Sequence, residues 1–515
     1  MKLYKILCLT AIAGLLTSCN EWLTVEPDTE FDQSKLLSNE AGYADAMSGI
    51  YTKMISDNLY GGNMTWHLLE LMGGGTKVLY GDNESCQGFY FHPKSEYYTE
   101  SYRNNMIDPI WNEEYNTIAN VNSLLGSIDE NASVFTGNDY NIFKGELLGL
   151  RAFLHFDVLR LFADAYSSAD YSADKTYIPY VNSLTSNVHP LLTNNQVCEL
   201  MLKDLEAAKE YLKSDPMYTD SNPSEYVCSA VTGNKNNRDK YGIKSWHNRR
   251  FHFNYYAAVA TEARIYLWMG DKANALRCAK EVIDAPEGTF TWVNPTLVSN
   301  VSSSEGYVPR DRTFSTEQIF AMNITNLEDR LDGYMVEKEA SFSDGGNIIG
   351  FNDDVFDAAT RQYDIRYAYL KTTANIWGTE YNISNKYVKD NDSGNNYSPW
   401  SANRLCLIRL SEMYYIAAEC ENDLQKATEY LETVRRHRGL TAYPLNVTSK
   451  SELQEQIRLE YHKDMIGEGQ TFYYYKRMNL PITNQAAWNT HEITPDLFTM
   501  PRPDDENTYG GRNSQ

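Results

Sequence analysis

Aromatic side chains that lie among asparagines offer the clearest chemistry in this chain. Its 515 residues include 39 Tyr, 9 Trp and 18 Phe, together 13% of the total. Tyrosine and tryptophan combine an apolar ring with a polar tip, which suits a binding surface that stays in contact with water. The apolar C–H faces of a sugar ring can stack on such rings, while Asn, Asp and Arg bond the hydroxyl groups. The alternative for each aromatic residue is a packing role, in the core or as a loop anchor.

Residue patterns typical of catalysis are missing from the sequence. It contains no HExxH, no P-loop and no GxSxG elbow, and the run Gly73-Gly74-Gly75 indicates a flexible loop. Two carboxyl groups about 5–10 Å apart could serve a glycosidase. We interpret the adjacent acids as surface groups instead: Glu113-Glu114, Asp353-Asp354 and Asp504-Asp505. The sequence therefore predicts no catalytic residues and no enzyme.

The net charge excludes nucleic acid as a partner. The formal charge is -23, and without residues 1–18, which hold Lys2 and Lys5 and no acid, 44 basic and 69 acidic side chains give -25. Binding of DNA or RNA needs a basic footprint. An isolated basic cluster, His247-Asn248-Arg249-Arg250, is interpreted as a solvated loop or as a place of local salt bridges.

The N-terminal segment has the organisation of a bacterial export signal. Lys2 and Lys5 flank the start of an apolar run, Ile6 to Leu16, which is shorter than the roughly 20 residues that cross a membrane. Leu16-Thr17-Ser18-Cys19 resembles a lipobox, in which the cysteine receives lipid. We predict a signal peptide over 1–18, lipidated Cys19 with a tether over 19–40, and one domain over 41–515. An ordinary signal peptide with a chance cysteine is the alternative.

Cysteine usage fits an exported protein that lacks a dense disulfide framework. Beyond Cys8 and Cys19, six cysteines remain, and none forms a CxxC pair: Cys86, Cys198, Cys228, Cys278, Cys406 and Cys420. Buried free thiols and a Cys198–Cys228 disulfide are both compatible with this spacing. Neither a zinc site nor any cofactor is predicted. The acid excess is compatible with a structural Ca²⁺, but no calcium-loop pattern is present.

Helical periodicity predicts the scaffold that must position the aromatic residues. Apolar residues recur at three- and four-residue steps over 141–166 and 196–213, with Thr193 or Asn194 as a cap. Over 254–285, Gly270 suits a left-handed C-cap, and Asp271 can cap the next helix. This unit resembles a tetratricopeptide helix pair, and 409–438 carries a second copy. Earlier helices over 107–165 would supply further pairs.

Long polar stretches rich in Gly, Asn, Ser and aromatic residues separate these helices. They cover roughly 57–105, 214–250, 286–350 and 372–402. Loops of this length within a compact domain usually carry function. The sequence therefore predicts a helical scaffold that displays large aromatic loops.

Four groups of motifs follow one another along nearly the whole chain. They are Cys19, Trp22-Leu23 and Pro27; Tyr115, Ile118, Asn122, Gly145-Glu146, Gly149-Leu150-Arg151-Ala152-Phe153 and Phe162; Ile408-Arg409-Leu410-Ser411-Glu412-Met413-Tyr414 and Ala417-Ala418-Glu419; and Glu455, Arg458, Glu460, Gly467-Glu468-Gly469, Phe472, Lys476-Arg477 and Met500-Pro501. In order and spacing they resemble the SusD/RagB family of nutrient-binding outer-membrane lipoproteins. Phe162-Ala163-Asp164 and Glu468-Gly469-Gln470 depart from the family's Phe-Gly-Asp and Glu-Gly-Arg, which suggests a divergent branch.

The resemblance implies a fold, a location and a partner. The fold would be mostly α: a tetratricopeptide-like superhelix of four helical pairs packed against a loop-rich ligand-binding face. The protein would be lipid-anchored at the outer membrane and exposed at the cell surface. It would form a lid over a SusC-like TonB-dependent transporter, to which it delivers a glycan, either an oligosaccharide or a polymer fragment.

The resemblance also favours two aromatic regions for ligand binding. The candidates are Trp66, Tyr80, Tyr97 and Tyr98 in the early loop and Trp292 in a later one, with Trp246, Trp377 and Trp400 as second choices. Four acids in the family's framework motifs are predicted to be ion-paired structural groups, with arginines such as Arg409 and Arg458: Glu412, Glu419, Glu460 and Glu468.

Two other classes of function compete with nutrient binding. A tetratricopeptide-like surface scaffold or adhesin would bind protein or peptide ligands, and a glycan-degrading enzyme would turn its ligand over. A nutrient binder should be encoded beside a TonB-dependent transporter, whereas a scaffold need not be.

Overall fold

Helices dominate the described part of the chain. The computed structural model describes residues 35–80, 103–185, 187–219, 249–299, 302–303, 306–307, 310–331, 348–376, 379–388, 403–485 and 490–510. In chain order the α-helices are α1 (Glu40–Met54), α2 (Leu68–Met72), α3 (Asp108–Ile128), α4 (Asp139–Phe162), α5 (Asn194–Leu212), α6 (Pro216–Thr219), α7 (Tyr255–Met269), α8 (Lys272–Ile283), α9 (Pro295–Ser299), α10 (Leu327–Leu331), α11 (Ile365–Tyr369), α12 (Leu410–Cys420), α13 (Leu424–His437), α14 (Lys450–Asp464), α15 (Gln470–Met478) and α16 (Asp504–Tyr509).

Short antiparallel strands supply small sheets beside these helices. The strands are β1 (Thr76–Tyr80), β2 (Thr176–Pro179), β3 (Leu191–Thr193), β4 (Ser302–Ser303), β5 (Gly306–Tyr307), β6 (Gln318–Asn323), β7 (Ile348–Phe351), β8 (Lys371–Ile376), β9 (Thr379–Ser384), β10 (Arg404–Arg409), β11 (Ile482–Gln485) and β12 (Thr490–Ile493). The largest sheet has the order β1-β7-β9-β8, and the other strands pair as β6-β10, β11-β12, β2-β3 and β4-β5.

The long helices pack as four successive pairs. They are α1 with α3, α4 with α5, α7 with α8, and α12 with α13. Neighbouring pairs also touch, because α3 packs on α4, α5 on α7 and α8 on α12. The predicted mostly α, tetratricopeptide-like architecture of four helical pairs is therefore confirmed.

Local sequence signals set the ends of these helices as predicted. The Thr193 hydroxyl accepts a hydrogen bond from the Gln196 amide at 3.3 Å, and the Gln196 side chain accepts one from the Thr193 amide at 3.0 Å, which forms a capping box for α5. Gly270 ends α7 with a φ of 79°, a left-handed conformation that favours glycine. The Asp271 carboxylate then accepts a hydrogen bond from the Asn274 amide at 3.1 Å and caps α8.

Glycines on α4 permit the close packing of the second pair. A Cβ at Gly149 would overlap ring carbons of Phe253, and one at Gly145 would crowd Leu212. Beside them, the fully buried Glu146 carboxylate accepts hydrogen bonds from Arg249, which also bonds Asp215 at 2.7 Å. Two glycines and one acid of the second motif group thus have direct packing roles.

Neither interpretation of the basic cluster, a solvated loop or local salt bridges, describes Arg249 and Arg250 correctly. Arg249 and Arg250 are buried, so they do not form a solvated loop. Their partners are distant in sequence, since Arg249 reaches Glu146 and Arg250 donates to the carbonyl oxygens of Thr289 and Ser315. The salt bridging is real, but it crosses the fold and is not local.

The prediction of three exposed acid pairs was wrong at one position. Glu114 is fully buried on α3, whereas Asp354, Asp504 and Asp505 are exposed. Burial and the neighbouring Asp157 carboxylate raise the pKa of Glu114 well above its ordinary value. A buried carboxyl can share an apolar helix interface when it stays protonated.

The framework acids are ion-paired as predicted. Glu412 binds Arg264, Glu419 binds Arg477, Glu460 binds Arg366, Arg435 and Lys463, and Glu468 binds Arg409 and Lys386. Arg409 was predicted correctly as a partner. Arg458 was not, because it pairs with Glu455 one helical turn away.

The described cysteines Cys198, Cys278, Cys406 and Cys420 are buried free thiols. Burial raises the pKa of each thiol to about 12. They therefore pack as small apolar side chains. No helix among the described residues combines the length and apolar character that a membrane crossing requires.

The close approach at Gly149 can be tested by substitution. Gly149→Ala should lower the free energy of unfolding by about 1–3 kcal/mol, because the new methyl group overlaps the Phe253 ring. Gly49→Ala, at an exposed position of α1, is the matched control, since a Cβ there meets nothing within 4 Å. That control should gain about 0.5–1 kcal/mol from its helix propensity. Urea unfolding of both variants measures the difference, and equal stabilities would contradict the packing described.

Candidate functional site

The predicted aromatic residues lie in different environments. Trp66 belongs to the hydrophobic core and is 5% exposed, so its ring offers no free face for stacking. Tyr80 ends β1, where its backbone pairs with Ile348. Trp292 is half-buried near the end of α13. The predictions for residues 1–34, including Cys19, and for Tyr97, Tyr98, Trp246, Trp377 and Trp400 lie outside the described residues.

Trp292 is held by backbone and ring contacts. The Thr291 amide donates to the Thr316 carbonyl at 3.2 Å, and the Val293 amide donates to the Glu317 carboxylate at 3.0 Å. The indole lies parallel to the His437 ring, with centroids 4.6 Å apart and planes 8° apart, and Tyr414 packs at 5.1 Å. Burial lowers the pKa of the His437 imidazole, which favours its neutral form.

Arg438 fixes the base of this stack. Its guanidinium lies 5.5 Å from the Trp292 ring centroid and 4.5 Å from that of Phe314. It donates to Glu317 at 2.8 and 2.6 Å and to Asp464 at 3.0 Å. Burial by itself would raise the pKa of Asp464, but the guanidinium groups of Arg438 and Arg366 hold that pKa well below its ordinary value. The positive group beside the indole is therefore fully paired and cannot shift easily.

A second aromatic stack lies at the same end of α13. Tyr363 and Tyr443 stack with centroids 4.8 Å apart and planes 27° apart, and Tyr363 is 48% exposed. Gly439, with a φ of 92°, lets the chain pass so close to the Tyr363 carbonyl that a side chain there would clash with it. The Ile365 amide donates to the Arg438 carbonyl at 3.0 Å and keeps the Tyr363 segment against α13.

We call Trp292, Tyr363, His437 and Tyr443 the α13 aromatic surface. Residues 437–439 join its two stacks, because His437 meets Trp292 and Gly439 meets Tyr363. Gln362 and Thr441 are exposed beside the tyrosines and can bond hydroxyl groups. The surface thus combines partly exposed rings with amide and hydroxyl groups, beside the charged Arg361 and Arg436. Rings and groups of this kind can stack on a sugar and bond its hydroxyls.

Trp292 is among the candidates that the sequence predicted, whereas Tyr363 and Tyr443 are not. The two tyrosines are 80 residues apart and lie in short segments beside helices rather than in the long polar loops. Their residue type alone could have made them candidates, since each is a tyrosine beside polar residues or proline. Their pairing depends on the tertiary contact with Gly439, which spacing does not reveal.

A cavity of about 450 Å³ lies between α3, α4 and the segment that follows β2. Its polar lining includes Asn122, Lys144, Arg151 and Asn182, and among the described residues no aromatic side chain lines it. Arg151 is committed to Asp204 at 2.6 and 2.7 Å and to Asn122 at 3.1 Å. The cavity is large enough for a small ligand, but it lacks a stacking platform.

Within the described ranges, no group of three or more His, Cys, Asp or Glu side chains could hold a metal ion. That the protein needs no cofactor stays a prediction from the sequence.

Comparisons with known families and structures agree along the chain. Residues 232–507 match the model of the SusD family, and residues 21–230 match a model described as starch-binding associating with outer membrane. No curated protein matches the sequence.

Solved structures share the fold at low sequence identity. A SusD superfamily protein from Bacteroides thetaiotaomicron has a TM-score of 0.65 at 20% identity over 91% of this chain and 97% of its own. A SusD-like carbohydrate binding protein from Bacteroides vulgatus has a TM-score of 0.59 at 17% identity, with 88% and 89% covered. A SusD superfamily protein from Bacteroides fragilis has a TM-score of 0.62 at 16% identity, with 92% and 99% covered. The chain belongs to the SusD family.

Proposed function

We propose that this protein is a non-catalytic glycan-binding lipoprotein of the outer membrane. It is anchored through lipidated Cys19, faces the outside of the cell and delivers oligosaccharides to a SusC-like TonB-dependent transporter. Membership of the SusD family supports glycan binding, as does the family description that names starch and the outer membrane. A similar structure is that of a SusD-like carbohydrate binding protein.

The observation that carries the binding proposal is the α13 aromatic surface. Tyr363 presents an exposed ring that is backed by Tyr443, and Trp292 is fixed nearby on the same helix end. A rigid, prestacked ring loses little conformational freedom when a ligand binds, which favours affinity. Tyr80, Tyr97 and Tyr98 stay in the proposal as further contacts, and Trp66 is assigned to packing.

Stacking on Tyr363 and Tyr443 can be tested after a glycan array has identified an oligosaccharide ligand. Tyr363→Ala and Tyr443→Ala should each weaken affinity about tenfold, which corresponds to the loss of one good ring contact. Isothermal titration calorimetry measures the affinity. Trp292→Ala should weaken binding in the same direction.

Tyr509→Ala is the matched control for this series. Tyr509 is 80% exposed on α16, so its loss removes an exposed tyrosine outside the α13 aromatic surface. Affinities equal to that of the unmodified protein in all three test variants, with unchanged thermal unfolding, would remove this surface from the proposal. Hydrolysis of the glycan would contradict the non-catalytic role.

The lipid anchor can be tested at Cys19. Cys19→Ser should move the protein from the membrane fraction to the soluble fraction, because two or more acyl chains supply the membrane affinity. Cys8→Ser is the control, since Cys8 lies within the predicted signal peptide and leaves with it. Membrane association of the Cys19→Ser protein would contradict anchoring at this residue.

The transporter partnership separates nutrient uptake from a surface scaffold. Purification of the native lipoprotein from detergent-solubilised outer membranes should bring down a TonB-dependent transporter in about equal amount, as a lid and its barrel require. Mass spectrometry identifies the partner. Recovery of the lipoprotein alone, or with a soluble protein ligand, would favour the scaffold or adhesin.

A further inference from the structure

A small cavity lies inside the helical scaffold, where α4, α7, α12, α14 and α15 meet. Its volume is about 40 Å³. Phe156, Trp268 and Ile416 form apolar walls, and Arg160, Arg264, Arg477 and Glu412 are the charged lining residues. A buried water needs roughly 10–15 Å³ of such space, so the cavity can hold a chloride-sized ion with a water beside it.

Three donor atoms of the lining residues set this cavity apart. In the part of the chain that the structure describes, Nε of Arg160, Nη1 of Arg264 and the hydroxyl of Tyr473 have no hydrogen-bond partner. Arg160 and Arg264 are each 5% exposed, and Tyr473 is 4% exposed. Buried donors are rarely left unsatisfied in folded proteins because the desolvation cost is high.

The remaining donors of these residues are already used. Arg160 donates to Gln470 at 3.2 Å and to Asp157, and its guanidinium carbon lies 3.6 Å from the Tyr473 ring centroid. Arg264 donates to Glu412 at 2.8 and 2.7 Å and to the Leu407 carbonyl at 2.7 Å. These bonds fix both guanidinium groups, so the unpaired N–H groups cannot turn away to find a partner without breaking an ion pair.

Tyr473 contributes a donor rather than a charge. Burial, together with the nearby Asp157 carboxylate, holds the pKa of Tyr473 well above its ordinary value. Its hydroxyl therefore keeps its proton. The unpartnered groups are all donors, and what they lack is an acceptor.

A monatomic anion is a better acceptor for these three donors than a water molecule. It accepts hydrogen bonds from any direction and brings no donors of its own, whereas a water adds two O–H groups that need acceptors. Three guanidinium groups and one carboxylate line the cavity. Three neighbouring carboxyl groups do not line it: Asp157 pairs with Arg160, Glu419 pairs with Arg477, and Glu114 lies beside Asp157. Charge-assisted hydrogen bonds to an anion are stronger than those to a neutral acceptor.

We propose that this cavity binds a chloride-sized halide ion, held by Arg160, Arg264 and Tyr473. The site is separate from the α13 aromatic surface and does not depend on the proposed glycan role. Its ligands come from α4, α7 and α15, which are distant in sequence, so the ion would clamp three parts of the scaffold. Because it binds the folded state, the ion should stabilise the protein by mass action.

The first test compares thermal unfolding in chloride, bromide and gluconate at equal ionic strength. Chloride and bromide should raise Tm by about 2 °C or more, and the rise should saturate with concentration. Crystals grown in bromide should show an anomalous peak inside the cavity. A Tm that is the same in all three salts, or a cavity without an anomalous peak, would overturn the proposal.

Tyr473→Phe sharpens the test, because it removes one donor and keeps the ring. In gluconate this variant should be at least as stable as the unmodified protein, since an unsatisfied hydroxyl is lost. In chloride it should lose most of the halide-dependent rise in Tm. Tyr387→Phe is the matched control: it removes a buried hydroxyl that donates to the Gly467 carbonyl at 3.4 Å and should keep the full rise. A rise that is equal in Tyr473→Phe and the unmodified protein would place halide binding elsewhere and overturn the assignment.

Discussion

Charges buried between α11, α13 and α14 hold together the end of the scaffold that carries the α13 aromatic surface. Arg366 is fully buried and donates to Asp364 at 2.7 and 2.9 Å, to Glu460 at 2.6 Å and to Asp464 at 2.7 Å. Glu460 also binds Arg435 and Lys463, and Asp464 binds Arg438. Removing a charge from water costs on the order of several kcal/mol per ion in a real protein. Only complete pairing of the buried charges can offset this cost. Such a network therefore tolerates one arrangement of its helices and penalises the loss of any member.

The α13 aromatic surface inherits its geometry from this network. Arg435 uses one nitrogen for Glu460 and another for the Tyr443 carbonyl at 2.8 Å, which places the second tyrosine. The Arg438 guanidinium lies beside Trp292 and bonds both Asp464 and Glu317. The Arg438 carbonyl accepts a hydrogen bond from the Ile365 amide, which holds the neighbouring Tyr363 against α13. The segment that carries each ring is thus held by an arginine of the buried ion-pair network. A ring with such support loses less conformational entropy than a mobile ring when a ligand binds.

Sequence reasoning recovered the features that depend on neighbours along the chain. The capping box at Thr193, the Gly270–Asp271 turn and the paired helices follow from local rules of backbone geometry. The ion pairing of Glu460 was predicted from a different source, because Glu460 falls in a motif that resembles the framework of the SusD family. Its partners were not readable, since Arg366 and Arg435 come from other elements. The burial of Glu114 was missed for the same reason, because α4, which brings Asp157 beside it, is a separate element. Trp66, for which the sequence also allowed a packing role, is enclosed by the hydrophobic core.

The many tyrosines of this protein occupy two kinds of position, buried and exposed. Tyr415 is fully enclosed and donates to Asp464 at 2.9 Å, so its ring fills space while its hydroxyl extends the ion network. Tyr363 uses the same side chain in the opposite way, with one face on Tyr443 and the rest of the ring towards solvent. Composition cannot separate these uses, because both exploit an apolar ring with a polar tip. What separates them is the position of each ring relative to the buried charges. Tyr415 lies within the network and donates a hydrogen bond to it, whereas Tyr363 lies at its edge, where Tyr443 supports an exposed ring.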